Sequence, residues 1–352
     1  PATEFSGYSD GVYVSKNPLE GYEYQQHNPF SYKPGGFARG AGHGATFEDN
    51  FKNWWHISTI FISTKNNFER RLGIWPAGFD KDDVMYTNTA YGDYPTLLPQ
   101  FAQGKDFSKG LFTNWMLLNY NKPVQVSSTL GGYHSNNAVD EDIKTYWSAK
   151  TGNSGEWFQT DLGDVSTINA IQVNYADQDV EFMGKTEGKM HQYKIFGSND
   201  GKKWKVIVDK SKNTKDVPHD YVELEKPATA RYLKMENLKM PTGKFALSGF
   251  RVFGKGAGAK PAKVQNFVPL RADPKKYGER RSIWMKWQQN SEADGYVIYW
   301  GKSPDKLYGS IMVYGKNEYF FTGADRVDSY YFQIEAFNAN GISERTEVVK
   351  SE

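Results

Sequence analysis

The sequence predicts an all-β chain of several modules, and three observations carry that prediction. Short apolar or alternating runs recur throughout, as in Asn53 to Ile62, Ile168 to Tyr175 and Ser282 to Trp287. Turn residues separate them, among them Ser198-Asn199-Asp200-Gly201, Ala293-Asp294-Gly295 and Asn338-Ala339-Asn340-Gly341, a pattern of sandwiches or propellers rather than βαβ units. No amphipathic helical pattern exceeds about three turns.

At 352 residues the chain is too long for one compact core. The stretch Gly254-Lys255-Gly256-Ala257-Gly258-Ala259-Lys260-Pro261 reads as an exposed linker, and a softer break runs from Gln103 to Thr113. The expected segments are 1–105, 112–254 and 262–352.

Composition narrows the function classes. The net charge is +2 and the charged residues are scattered, so no basic footprint for nucleic acid or an anionic membrane is expected. No apolar run is long enough to span a bilayer, and Pro1 onward reads as mid-domain sequence rather than a leader. Without cysteine, neither a disulfide framework nor a thiolate metal site can form. Aromatic residues make up 16% of the chain, which leaves two readings open: payload for several small β-sandwich cores, or stacking platforms for sugar rings.

The last segment shows Trp287 in an early strand, Gly295 to Trp300 in a central one, and Tyr330 to Asn338 near its end. Tyr330, Phe332, Ile334 and Ala336 share one face at period two. Over 262–352 this resembles a fibronectin type III domain, with Tyr330 where that family places its tyrosine-corner residue. The resemblance implies a spacer or docking β-sandwich.

The middle segment carries Asn137 to Ser148, Glu156 to Gly163, Tyr193 to Trp204, Ala230 to Lys234 and Phe250 to Gly254. In this order the runs resemble the discoidin, or factor V/VIII type C, family, which overlaps carbohydrate-binding module family 32. The resemblance implies a jelly-roll sandwich that binds glycans through loops at one end. It also implies a structural Ca2+ near Asp140, Asp142 and Thr145, whose closely spaced oxygens suit a hard cation. The other reading is that the two aspartates only cap a tight turn. A glutamate usual in the family's last strand is replaced here by Gly249. Candidate sugar contacts, placed in loops, are Tyr133, His134, Tyr175 and Asp177; Trp147, Trp157 and Trp204 are assigned to the core.

The first segment contains Glu4 to Gly21, the run Gly40-Ala41-Gly42-His43-Gly44, the Trp54-Trp55-His56 strand, Arg70-Arg71-Leu72-Gly73 and Asp80-Lys81-Asp82-Asp83. In order, these resemble the last blades of the five-bladed β-propeller of glycoside hydrolase family 43. Such enzymes remove arabinofuranose or xylose from plant polysaccharides with inversion, using a base, an acid and a third carboxylate. The resemblance places that Asp, Asp and Glu trio upstream of these residues; Glu4 is the weak candidate acid. By the same resemblance His43 helps hold a central cation, often Ca2+, and Arg70 reaches substrate hydroxyls while Arg71 faces away. The alternative for His43 is a histidine fixed by backbone hydrogen bonds in a glycine-rich turn; His27 and His56 are expected to be incidental.

Two functions follow. One is the C-terminal portion of an exported glycoside hydrolase with accessory modules, whose partners are plant or other glycans and a separate N-terminal catalytic fragment. The other is a non-catalytic glycan-binding or adhesion protein. Periplasmic, cell-surface and extracellular locations all fit either one.

Overall fold

The computed structural model describes residues 7–65, 69–100, 111–181, 187–272 and 281–351. Its only helical element among these is one short 3-10 turn, Ser135–Ala138. The chain is therefore all-β, as the alternating runs require.

The first eight strands are β1 (Ser9–Asp10), β2 (Tyr13–Val14), β3 (Glu23–Tyr24), β4 (Ser31–Tyr32), β5 (Arg39–Glu48), β6 (Trp54–Phe61), β7 (Arg70–Phe79) and β8 (Met85–Thr87). Six of them form a sheet in the order β4-β1-β5-β6-β7-β8, while β2 and β3 make a separate hairpin. The run β5 to β8 is an antiparallel meander, and β1 joins β5 in parallel at Ser9 and Ala41. Alternation within β6 and β7 buries Trp55, Trp75 and Ala77. The Trp75 Nε1–H donates to Ser58 Oγ at 2.6 Å, so the buried indole leaves no orphaned donor.

The next strands are β9 (Met116–Leu117), β10 (Val124–Val126), β11 (Trp147–Ser148), β12 (Trp157–Tyr175), β13 (Gln192–Ser198), β14 (Lys205–Asp209), β15 (His219–Lys239) and β16 (Ala246–Lys255). They form a jelly-roll around the two long strands β12 and β15. The β12–β15 register breaks between Asp161 and Ser166. Before the break β12 also pairs β10, and after it β12 pairs β16, so one strand serves both layers. Trp147, Phe158, Tyr193, Phe245 and Phe250 are buried in the core between the layers. Trp157 and Trp204, assigned to that core from their strand contexts, are only half-buried. Trp204 instead carries the Lys234 ammonium 5.0 Å from its ring centre.

The last strands are β17 (Val268–Arg271), β18 (Ser282–Lys286), β19 (Gly295–Gly301), β20 (Gly309–Tyr314), β21 (Glu318–Thr322), β22 (Tyr331–Asn338), β23 (Gly341–Ile342) and β24 (Val349–Lys350). They make a three-stranded sheet, β17-β18-β21, and a five-stranded one, β20-β19-β22-β23 with β24 on β22. Tyr330, Phe332, Ile334 and Ala336 all enter one core with Trp287 and Trp300. The Tyr330 hydroxyl accepts the Asp325 N–H at 2.8 Å.

The three groups of strands share their interior. Tyr91 and Tyr94, Met116, Leu117 and Phe253, and Val297, Tyr299, Met312 and Phe337 pack in one cluster. Beside it lies a fully buried set of four charges. Arg251 donates from Nε and Nη2 to the two Glu141 oxygens at 2.8 and 2.9 Å, and from Nη1 to the Asp93 carbonyl at 2.7 Å. Lys33 pairs with the Asp93 carboxylate at 3.2 Å, and that carboxylate accepts the Phe37 N–H at 2.6 Å. Two cations balance two anions, which is what permits their burial.

The glycine-rich linker is pinned rather than loose. Gly256 N–H donates to the Ala339 carbonyl at 3.0 Å, and Gly258 N–H to Asn340 Oδ1 at 2.8 Å. A Cβ on Gly256 would lie 2.1 Å from that Asn340 oxygen, so close approach demands glycine there.

Candidate functional site

The candidate sugar residues of the middle segment converge at one end of the jelly-roll, with one exception. Tyr133 stands half-buried just before the 3-10 turn, and its ring lies 4.7 Å from that of Tyr146. Tyr146 closes the turn that leads into β11; its hydroxyl donates to Gln178 Oε1 at 2.7 Å. Burial, then the neighbouring Tyr133, pushes the Tyr146 phenol well above its ordinary value, so it remains a donor at neutral pH. Gln178 Nε2 in turn donates to Asp179 Oδ1 at 2.8 Å, and Asp179 pairs with Lys244. His134, the next residue, is exposed.

Lys65 reaches this end from the β6–β7 connection. Its Nζ donates to the Asp177 carbonyl at 2.9 Å and lies 5.5 Å from the Tyr146 ring centre. Asp177 is thus present in the cluster through its backbone. Burial, then the charge of Glu69, raises its carboxyl above the ordinary range. The result is one half-open ring, Tyr133, backed by the buried Tyr146 and bordered by an amide, a carboxylate and two ammonium groups. Such a set can stack against a sugar ring and hydrogen-bond its hydroxyls.

Tyr175 is the exception. Expected in a loop, it is the last residue of β12, only 6% exposed, with its ring 4.1 Å from that of His191. The alternating run Ile168 to Tyr175 ends where β12 ends, and Tyr175 pairs with Leu247 of β16 instead of entering a loop. It is a core residue at this end, not a platform.

The turn expected to hold calcium does not offer a cage. Asp140 Oδ2 accepts the Thr145 hydroxyl at 2.5 Å, and Oδ1 accepts the Asp142 N–H at 2.9 Å. Asp142 lies 3.5 Å from the Arg39 guanidinium, and Glu141 is spent on Arg251. At Gly249, the place of the family's glutamate, a Cβ would sit 2.6 Å from the Phe37 ring. The turn's oxygens thus bond to one another and to cationic side chains, the capping alternative, and the residues present do not fit Ca2+. Among the described residues no three His, Asp or Glu side chains are grouped to share an ion.

In the first sheet, His43 is exposed on β5 with a left-handed φ of 55°. Its N–H donates to Asp10 Oδ1 at 2.8 Å, and the Gly44 N–H donates to Oδ2 at 2.9 Å. Asp10 thus holds the β5 backbone at His43 and Gly44. Asp10 also meets His56 Nε2 at 3.1 Å, and His56 Nδ1 lies 3.0 Å from Thr46 Oγ1. His56, expected to be incidental, is therefore a buried link between β1, β5 and β6. Arg70 is half-buried and, through Phe61, level with Arg39 rather than with His43. Arg71 is exposed and pairs with Glu69. Glu4 lies outside the described residues.

Sequence reasoning missed Tyr146, Gln178, Lys65 and Lys244 at the jelly-roll end. Tyr146 sits inside the motif that carried the resemblance, so its position was visible; Lys65 comes from a different segment and gave no local signal.

Comparison with known families decides the middle segment. The family model of the F5/8 type C domain matches residues 123–249. Those residues are an F5/8 type C domain. No curated protein matches the chain. Among solved structures, chitosan-binding module 1 from a chitosanase/glucanase of Paenibacillus sp. IK-5 is 24% identical, with 40% of this chain and 99% of that one covered and a TM-score of 0.33. Module 2 of the same enzyme, solved with chitotriose, is 24% identical over 39% of this chain and 99% of its own, with a TM-score of 0.33. A CBM32 module of a GH89 protein from Clostridium perfringens is 20% identical, with 38% and 94% covered and a TM-score of 0.31.

Proposed function

We propose that this chain is the C-terminal portion of a modular, exported glycoside hydrolase, whose F5/8 type C domain holds the protein on a plant polysaccharide. The observation that carries the reading is the half-open Tyr133 ring, backed by the buried Tyr146 at the end of that domain and ringed by Gln178, Asp179, Lys244 and Lys65. A stacking ring with a fixed border of hydrogen-bonding groups suits a glycan better than a protein surface or a lipid. The order of motifs before residue 105 supports a family 43-like propeller end and hence an arabinofuranosidase or xylosidase activity. That activity draws its catalytic carboxylates from outside these residues. The Tyr330 corner and the two facing sheets support a fibronectin type III spacer over 262–352.

Affinity electrophoresis on arabinoxylan, xylan, arabinan and chitosan gels tests the binding function. Retardation on at least one gel is expected, and Tyr133→Ala should weaken it about tenfold, the scale of a lost aromatic anchor. A wild-type protein that migrates freely through every gel would refute the reading.

A further inference from the structure

A second surface carries both aromatic rings and polar groups, and it belongs to none of the three segments alone. On the outer face of the three-stranded sheet, Leu270, Trp284 and Phe320 stand in one cross-strand row, 49%, 40% and 53% exposed. Alternation puts Ile283, Met285 and Phe321 into the core and leaves this row outside. A row of large apolar side chains left open on a sandwich needs an explanation.

The row runs into a groove of about 590 Å³, a size usual for small-molecule sites. Trp284 and Phe320 line it together with Arg39 from the first sheet, and with Tyr120, Asp140 and Asp142 from the jelly-roll. Its floor is firm, because Tyr314 meets Tyr94 through their hydroxyls at 2.6 Å and packs on the Tyr120 ring at 4.7 Å.

The groove's own lining holds Arg39 and Lys316 against Asp140, Glu141, Asp142 and Glu318, and two cations behind it restore the balance. Arg251 pairs with Glu141 at 2.8 Å and Lys286 with Glu318 at 3.6 Å, while Arg39 lies 3.5 Å from Asp142. A groove with no surplus charge does not select an ionic ligand. Its paired ions still offer charge-assisted donors and acceptors to hydroxyl groups. One face of the Trp284 ring is covered by the Lys286 ammonium at 3.9 Å, so Phe320 presents the more open ring.

The geometry points to a second carbohydrate site here, a groove for a neutral oligosaccharide stacked on Phe320 and Trp284 and hydrogen-bonded by Arg39, Asp140 and Asp142. It rests on the glycan-binding reading above but uses none of the ring pair Tyr133 and Tyr146. Through it, all three segments would grip one polysaccharide chain.

Isothermal titration of the chain with a xylan hexasaccharide, an arabinan hexasaccharide and a galacturonan hexasaccharide tests this, with each variant made in a Tyr133→Ala background. One of the neutral probes should still bind in that background. Phe320→Ala and Trp284→Ala should each weaken it about tenfold or more, as for aromatic anchors generally. Both side chains are exposed, and Trp284→Tyr, which keeps a stacking ring, should retain most of the affinity. Neutral-probe binding that Tyr133→Ala alone abolishes would sink the groove and leave the loop-end reading standing. Equal binding in Phe320→Ala, or a preference for the galacturonan probe, would also overturn it. Failure of every probe with the unmutated chain would bring down both.

Discussion

At the scale of residues, the strongest constraint is the buried set Lys33, Asp93, Glu141 and Arg251. Arg251 alone satisfies both oxygens of Glu141 and the Asp93 carbonyl. Arg251→Ala would leave two carboxylates facing one ammonium in a region closed to water. Breaking a buried pair in this way costs about 3–5 kcal/mol, far more than the pair itself contributes. Urea unfolding followed by Trp fluorescence should show that loss; a change under about 1 kcal/mol would mean water enters the cluster and screens it. None of this was legible in the sequence. Glu141 and Arg251 are 110 positions apart, and Glu141 lies unremarked between the two aspartates expected to hold calcium. The Gly249 departure was visible, and it did mark something real: the space is taken by Phe37.

At the scale of elements, alternation was a good guide wherever one strand face is buried. The runs at 53–62, 168–175 and 282–287 correspond to β6, the end of β12, and β18. The run at 168–175 ends on Tyr175 itself; its loop assignment went wrong because pairing with Leu247 of β16, far away in sequence, holds it in the strand. Turns hold less obvious chemistry. Asp294, in the turn before β19, accepts the Ala339 N–H at 3.1 Å, and burial lifts its carboxyl from 3.8 to about 6 against the pull of Lys122. The folded state therefore holds this proton more tightly than the unfolded chain. Its contribution is full below about pH 4 and is lost as the pH rises through about 6, an effect of at most about 3 kcal/mol. Asp294→Asn keeps an acceptor for Ala339 but cannot ionise, so it should flatten the stability curve between those pH values. An unchanged slope in the variant would assign the pH dependence to other groups.

At the scale of the whole molecule, the segments predicted from composition behave structurally as parts of one interior. The glycine-rich linker expected before the last segment is instead pinned, as Gly256 is to Ala339. The shared cluster draws on Tyr91 and Tyr94, on Leu117 and Phe253, and on Tyr299 and Phe337. Tyr91 and Tyr299 both donate to the buried Glu335 carboxylate, at 3.0 and 2.8 Å, so the first and last strand groups also share one acceptor. Independent modules joined by flexible linkers would melt in separate transitions. A common core removes that freedom, since no group can unfold without exposing the apolar faces of the others. Calorimetry should accordingly give one transition, with its calorimetric and van't Hoff enthalpies agreeing. Arg251→Ala should then move that whole transition rather than split it. Separate peaks in the unmutated chain would show that the cluster does not couple the strand groups, and would leave the interdomain groove without a rigid frame.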